Sequence, residues 1–293
     1  MFHKLVGGAG LALALCGGAF SADFTFAAFG DTPYSKDEEA RFPDLMAEMN
    51  REKLAFIVNI GDIKNATDPC TDELYAQRRQ WFDLSHHPLV YTPGDNEWTD
   101  CRRSPFDKRD PLERIGKLRS VFNSGADSLG QRPIRLERQS REFPEHQRWE
   151  HDGVLCITLN APGPDNNARM KDEYARREKA QREWITQAFE LAQRRNARAV
   201  AVFMHGDPWN AIGQPRRGYG ALLDSLIAAT KAFKGEVLLV HGDTHFYRVD
   251  RPLGETVPNF TRAEVFGYPV MNWVRIRVRD DGGRVKFEVT PGS

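Results

Sequence analysis

Residues 236–248 read EVLLVHGDTHFYR. The first half is an apolar, β-branched run of strand length, and it stops at Gly242, Asp243 and His245. Those side chains do little for a core and suit a metal or a proton. The same punctuation recurs along the chain: FTFAAF runs into Gly30-Asp31, AFIVNI into Gly61-Asp62, PLVYTP into Gly94-Asp95, and AVAVFMH into Gly206-Asp207. A single Gly-Asp is a turn signal. Five of them, each closing a strand-like run, point to carboxylates gathered at strand ends, because glycine lets the backbone turn sharply and the next side chain projects beyond the sheet.

Helical patterns separate these runs: KDEEARFPDLMAEMN behind a capping box of Ser35 and Glu38, TDELYAQRRQWFDLS, DEYARREKAQREWITQAFELAQRR, and YGALLDSLIAATKAF. Strands alternating with helices predict an α/β fold, with near-continuous apolar strands covered on both faces. Ligands in such folds bind beyond the carboxyl ends of the strands. The final stretch, NWVRIRVRDDGGRVKFEVTP, alternates about Asp-Gly-Gly and predicts a closing hairpin. Between Arg102 and Glu150 the strand pattern gives way to an Arg-, Pro- and Glu-rich stretch. This reads as an insertion with one or two helices, solvated rather than a lid; Arg102 and Arg103 rank first in it for anion contact.

The chain has 293 residues, 40% hydrophobic and 28% charged, enough for one large domain with a full core. With 41 basic and 41 acidic residues it carries no global field for nucleic acid or anionic lipid, so any phosphate affinity is local. The N-terminus, MFHKLVGGAGLALALCGGAFSADF, has Lys4, an apolar run from Leu5 to Phe20, and small residues Ala19 and Ser21 before a cut. It reads as a secretory signal peptide over 1–21, leaving a single domain over 22–293 with the insertion at about 102–150. The alternatives are a lipoprotein signal at Cys16 and a retained anchor. Cleavage leaves no membrane span and implies a periplasmic or secreted bacterial protein, where disulfides persist. Cys70 and Cys101 lie in polar, loop-like stretches and are the expected pair, whereas Cys156, within VLCITLN, reads as a buried thiol.

The side chains that carry chemistry are Asp31, Asp62, Asp95 with Asn96 and Glu97, His205 with Asp207, and Asp243 with His245. Gathered at one end of a sheet they would repel one another unless cations sat between them, and four aspartates balance two divalent ions. In order and spacing the stretches Gly30-Asp31-Thr32-Pro33, Gly61-Asp62-Ile63-Lys64-Asn65, Gly94-Asp95-Asn96-Glu97, His205 and Gly242-Asp243-Thr244-His245 resemble the calcineurin-like metallophosphoesterase family. That family's pattern is D-x-H, G-D-x-x-D, G-N-H-E/D, a lone His, and G-H-x-H. Through GDTPY, GDIK, TPGDNEWTDC and HGDTH the chain is similar to a divergent bacterial exported branch. It departs at Pro33, Asn65, Asp95, Asn96 and Asp243, where the family pattern has His, Asp, Asn, His and His.

The resemblance implies a four-layer α-β-β-α sandwich of two mixed sheets with the metal site at the carboxyl ends of strands. Asp62 would bridge two metals, Asp31 and His245 would complete one position, and Asp95, His205 and Asp243 the other. Carboxylates in place of imidazole and amide donors favour Mn, Mg or Ca over Zn or Fe, and the loss at Pro33 leaves one or two ions open. The implied reaction is hydrolysis of a small phosphate mono- or diester by a metal-held hydroxide. The histidine that would protonate the leaving group is replaced by Asn96, a loss typically worth about 100- to 10,000-fold. His241 and Lys64 are the other catalytic candidates. The alternative is a catalytically reduced protein that binds a phosphorylated ligand or partner on the same scaffold.

Overall fold

The computed structural model describes residues 23–105 and 107–292; the expected signal peptide, 1–21, lies outside them. Strands β1 (Phe24–Phe29), β2 (Ile57–Asn59) and β3 (Leu89–Tyr91) run parallel, and β11 (Val274–Asp281) pairs antiparallel with β1 and with β12 (Arg284–Pro291). This gives a five-stranded mixed sheet, in the order β12-β11-β1-β2-β3. The second sheet has seven strands: β4 (Glu137–Arg138), β5 (Gln147–His151), β6 (Val154–Thr158), β7 (Ala199–Phe203), β8 (Glu236–His241), β10 (Phe260–Glu264) and β9 (Arg248–Asp250), in that spatial order. Its centre, β6 to β10, is parallel; β4, β5 and β9 are antiparallel additions at the two edges.

Strand periodicity sends alternate residues to opposite faces, and β1 shows the result. Phe26 and Ala28 pack with Phe56, Val58, Cys156, Phe203 and Val240 between the sheets, whereas Ala27 and Phe29 face outward. That outer face is covered by helices α1 (Lys36–Arg51), α2 (Asp72–Phe82) and α3 (Pro111–Phe122), through Phe42, Met46, Tyr75, Phe82 and Leu118. Helices α4 (Lys171–Arg194) and α5 (Gly220–Ala232) cover the second sheet through Trp184, Ile185, Leu222 and Leu226. The four layers are thus α-β-β-α, two mixed sheets face to face.

Each predicted helix forms. Ser35 caps α1 by accepting from the Glu38 N–H at 3.2 Å. Glu38 itself departs from the capping-box expectation: its carboxylate reaches back to the Tyr34 N–H at 2.6 Å rather than to Ser35. The Arg-rich stretch holds α3, as expected, but also β4 and most of β5. QRWEH forms a strand because Trp149 fills the core between the sheets while Arg148 lies over the Trp184 ring and pairs with Glu137. Among the described residues no helix is long and apolar enough to cross a membrane. Cys70 and Cys101 form a disulfide with Cα atoms 5.7 Å apart, and Cys156 is a free, buried thiol whose burial pushes it well above the ordinary thiol range.

Candidate metal centre

Five strand ends converge where the two sheets meet. Asp31 follows β1, Asp62 follows β2 and Asp95 lies beyond β3, while His205 follows β7 and Asp243 and His245 follow β8. His205 is the hub. Its Nε2 lies 3.1 Å from Asp95, 3.3 Å from Asp62, 3.9 Å from Asp31 and 4.0 Å from Asp243. Donor atoms of Asp31, Asp62 and His205 form one group compact enough for an ion, and those of Asp95, His205 and Asp243 form another.

The backbone is bent to make this possible. Asp31, Asp62, Asp243 and His245 have φ of 52°, 55°, 76° and 65°, the left-handed region that non-glycine residues rarely occupy. Such residues cost roughly 1–3 kcal/mol each and persist only where the surroundings hold them. Here the Asp31 N–H donates to the Gly61 carbonyl at 3.1 Å, the Asp62 N–H to Glu97 Oε1 at 3.1 Å, and the Asp243 N–H to the Asp31 carboxylate at 3.2 Å. His245 is fixed through its ring, whose Nδ1 donates to the Tyr268 carbonyl at 2.9 Å. Glycines leave room for the carboxylates. A Cβ would fall 2.1 Å from Asp62 Oδ1 at Gly94, 2.1 Å from Asp31 Oδ2 at Gly242 and 2.0 Å from Asp243 Oδ1 at Gly163.

His205 Nδ1 lies 3.0 Å from the Ile60 carbonyl, which can only accept, so that nitrogen carries the proton and Nε2 is turned to the carboxylates. Nε2 of His205 and Oδ1 of Asp95 are both buried and face each other at 3.1 Å, with no other hydrogen-bond partner for either. Burial pushes the carboxyls of Asp95 and Asp243 up to about 6 and about 8, the first reinforced by Asp62 and the second by Asp95. Burial opposes charge on His205 as well, yet Asp62 and Asp31 hold it well above the usual histidine range. Without a cation the cluster must therefore hold protons. Divalent cations fit this donor set, since they would bind Nε2 of His205 in place of a proton and offset the carboxylate charge.

The outer groups divide unevenly. Glu97 is buried, and its Oε1 accepts from the N–H groups of Asp62 and Gly94 and from the Tyr91 hydroxyl, at 3.1, 2.8 and 2.9 Å. Burial and Asp62 push its carboxyl up to about 7. Lys64 is buried with its ammonium on the Asn65 carbonyl at 2.9 Å; burial lowers its pKa while Glu97 and Asp62 pull it back. Asn96 gives its side-chain amide to the Tyr34 hydroxyl and the Lys64 carbonyl. His241 joins another network. Its Nε2 lies 3.9 Å from Asp207, which is also held by Arg248 and Arg262, and burial lowers its pKa to about 4. Arg103 pairs with Asp100 at 3.1 Å, and Arg102 ends the short 3-10 turn before it.

Tyr34 is the residue that sequence reasoning passes over. Its hydroxyl donates to Asp62 Oδ2 at 2.5 Å and stands 3.4 Å from Asp31 Oδ1. The signal is adjacency: Pro33 lacks a donor and the next side chain supplies one.

No protein-family model matches the chain, and no curated protein sequence is significantly similar to it. Solved structures are similar in fold. A purple acid phosphatase from yellow lupin (Lupinus luteus) seeds aligns with a TM-score of 0.53 at 10% identity, over 93% of this chain and 52% of that one. This chain thus spans about half the length of that phosphatase. Vacuolar protein sorting 29 from Cryptosporidium parvum aligns with a TM-score of 0.34 at 11% identity, over 92% of this chain and 98% of that one. A Thermotoga maritima protein aligns at 0.36 and 12% identity, over 92% and 99%. At these identities the likeness concerns the fold alone.

Proposed function

We propose that the chain is an exported, metal-dependent phosphoesterase that hydrolyses a small phosphate mono- or diester in a carboxylate-rich site. The observation that carries this reading is the buried Nε2 of His205 set within 4.0 Å of four aspartates. Following the family pattern, Asp31, Asp62 and His245 would hold one cation and Asp95, His205 and Asp243 the other, with Asp62 between them; in the structure the compact first group is Asp31, Asp62 and His205, and His245 stands 3.5 Å from Asp31. Oxygen donors dominate, which favours Mn, Mg or Ca. Bound divalent ions supply charge stabilisation for phosphoryl oxygens and an acidified water.

The chain's own residues set the rest. Lys64, buried two residues beyond Asp62, gives its ammonium to the Asn65 carbonyl and sets positive charge near Asp62 and Glu97. Asn96 is engaged with Tyr34 and the Lys64 carbonyl, and an amide cannot protonate a leaving group in any case. His241 lies in the cluster of Asp207, Arg248 and Arg262, its Nε2 3.9 Å from Asp207 and not hydrogen-bonded to it. The site therefore suits esters whose leaving group needs no acid, such as aryl phosphates. The disulfide supports export into an oxidising compartment.

The same engagement of Asn96 favours a second reading, a protein that binds a phosphorylated ligand without cleaving it. Purified protein supplied with Mn, Mg, Ca or Zn decides between them, assayed on p-nitrophenyl phosphate and bis(p-nitrophenyl) phosphate. Metal-dependent hydrolysis that chelation abolishes is the expected result. Tight metal binding with neither ester cleaved would replace the enzyme by the binding protein.

A further inference from the structure

Tyr34 is clamped into the centre from several sides. Its backbone N–H donates to the buried Glu38 carboxylate at 2.6 Å, and that glutamate also accepts from Thr32. Its ring stacks on Tyr268 with centroids 6.1 Å apart and meets the edge of His245 at 5.2 Å. Its hydroxyl donates to Asp62 Oδ2 at 2.5 Å and accepts from Asn96 Nδ2 at 2.9 Å. A phenol oxygen that donates once and accepts once keeps one lone pair.

Two separations among the neighbouring donors suit one coordination sphere. Atoms bound to a small cation at about 2.1 Å lie about 3 Å apart when they meet at right angles. The Tyr34 oxygen is 3.4 Å from Asp31 Oδ1, and His245 Nε2 is 3.5 Å from that same atom. His245 gives its Nδ1 proton to Tyr268, so Nε2 is turned to Asp31 as a donor. Pro33, two residues after Asp31, offers nothing here.

We propose that the Tyr34 hydroxyl oxygen is a donor of the first metal position, alongside Asp31, Asp62 and His245, and supplies what Pro33 cannot. The proposal rests on the metal-centre reading above. The position then has four protein donors, and the loss at Pro33 does not by itself reduce the centre to one ion.

The test is Mn titration of metal-free wild type and Tyr34→Phe by calorimetry, with ultraviolet difference spectra recorded during loading. The Phe variant keeps the stack on Tyr268. Its binding of one ion should weaken about 10-fold or more, with the other ion unaffected, and the tyrosine perturbation seen in wild type should be absent. Wild-type affinity for every ion in the variant would overturn the proposal. So would metal uptake by wild type with no tyrosine perturbation, a measurement that needs no variant. Wild type that binds no metal at all overturns the metal-centre reading itself.

Discussion

Asn96 donates its backbone N–H to Asp62 Oδ1 at 2.9 Å, while its own carbonyl rests 3.7 Å from the Cys70 sulfur and 3.9 Å from that of Cys101. One peptide segment thus links the buried disulfide to the central carboxylate. The disulfide closes 31 residues, which the chain-entropy account values at about 3–4 kcal/mol. The double replacement Cys70→Ser with Cys101→Ser should lower the melting temperature and, by loosening Asn96, weaken metal binding. Calorimetry checks both. A variant less stable yet with unchanged metal affinity would confine the bridge to stapling.

Glu97 organises the backbone of two site loops through a single oxygen. Glu97→Ala strands the buried N–H groups of Asp62 and Gly94 and the Tyr91 hydroxyl, at about 1–3 kcal/mol for each. Glu97→Gln keeps an acceptor in place. Denaturant melts should find the Ala variant several kcal/mol less stable, or unfolded, and the Gln variant near wild type. Equal losses would show that the carboxylate charge matters more than the acceptor.

The strand ends were legible because five apolar runs stop at Gly-Asp and period 2 leaves little choice of face. Other parts were hidden by pairing. Strand β10, FTRAE, looks polar in sequence, yet Arg262 and Glu264 are buried there because Asp250 and Arg248 neutralise them. The loop that follows, with Tyr268 holding His245, carries no metal-like residue and gives no signal. Tyr34 escaped for a different reason: a left-handed turn at Asp31 and the reach of Glu38 aim it inward, and neither is visible in GDTPY.

The metal-free protein should be most affected by pH above neutrality. The carboxyls of Glu97 and Asp243 are raised to about 7 and about 8, and His205 and His245 are also raised, so the folded state holds protons that the unfolded chain has lost. Stability therefore falls as pH rises, by about 1.4 kcal/mol per pH unit for each such proton. Below about 6.5 the lowered histidines, His87, His146 and His241, act in the opposite sense, since the unfolded chain protonates first. Melts of the chelated protein from pH 6.5 to 8.5 should show a decline that added Mn removes. A flat profile in the chelated protein would mean that the carboxylates stay ionised without a cation.

The most direct measurement is the metal content of wild type and Asp62→Asn, by elemental analysis after loading with Mn, Mg, Ca or Zn. The central carboxylate touches His205, which belongs to both donor groups, as well as Tyr34 and the Asn96 N–H, so its neutralisation removes charge from one group and beside the other. Wild type should retain up to two ions per chain and the variant markedly fewer, with its fold intact by circular dichroism. Equal metal content in the two proteins, or none in wild type, would contradict the account.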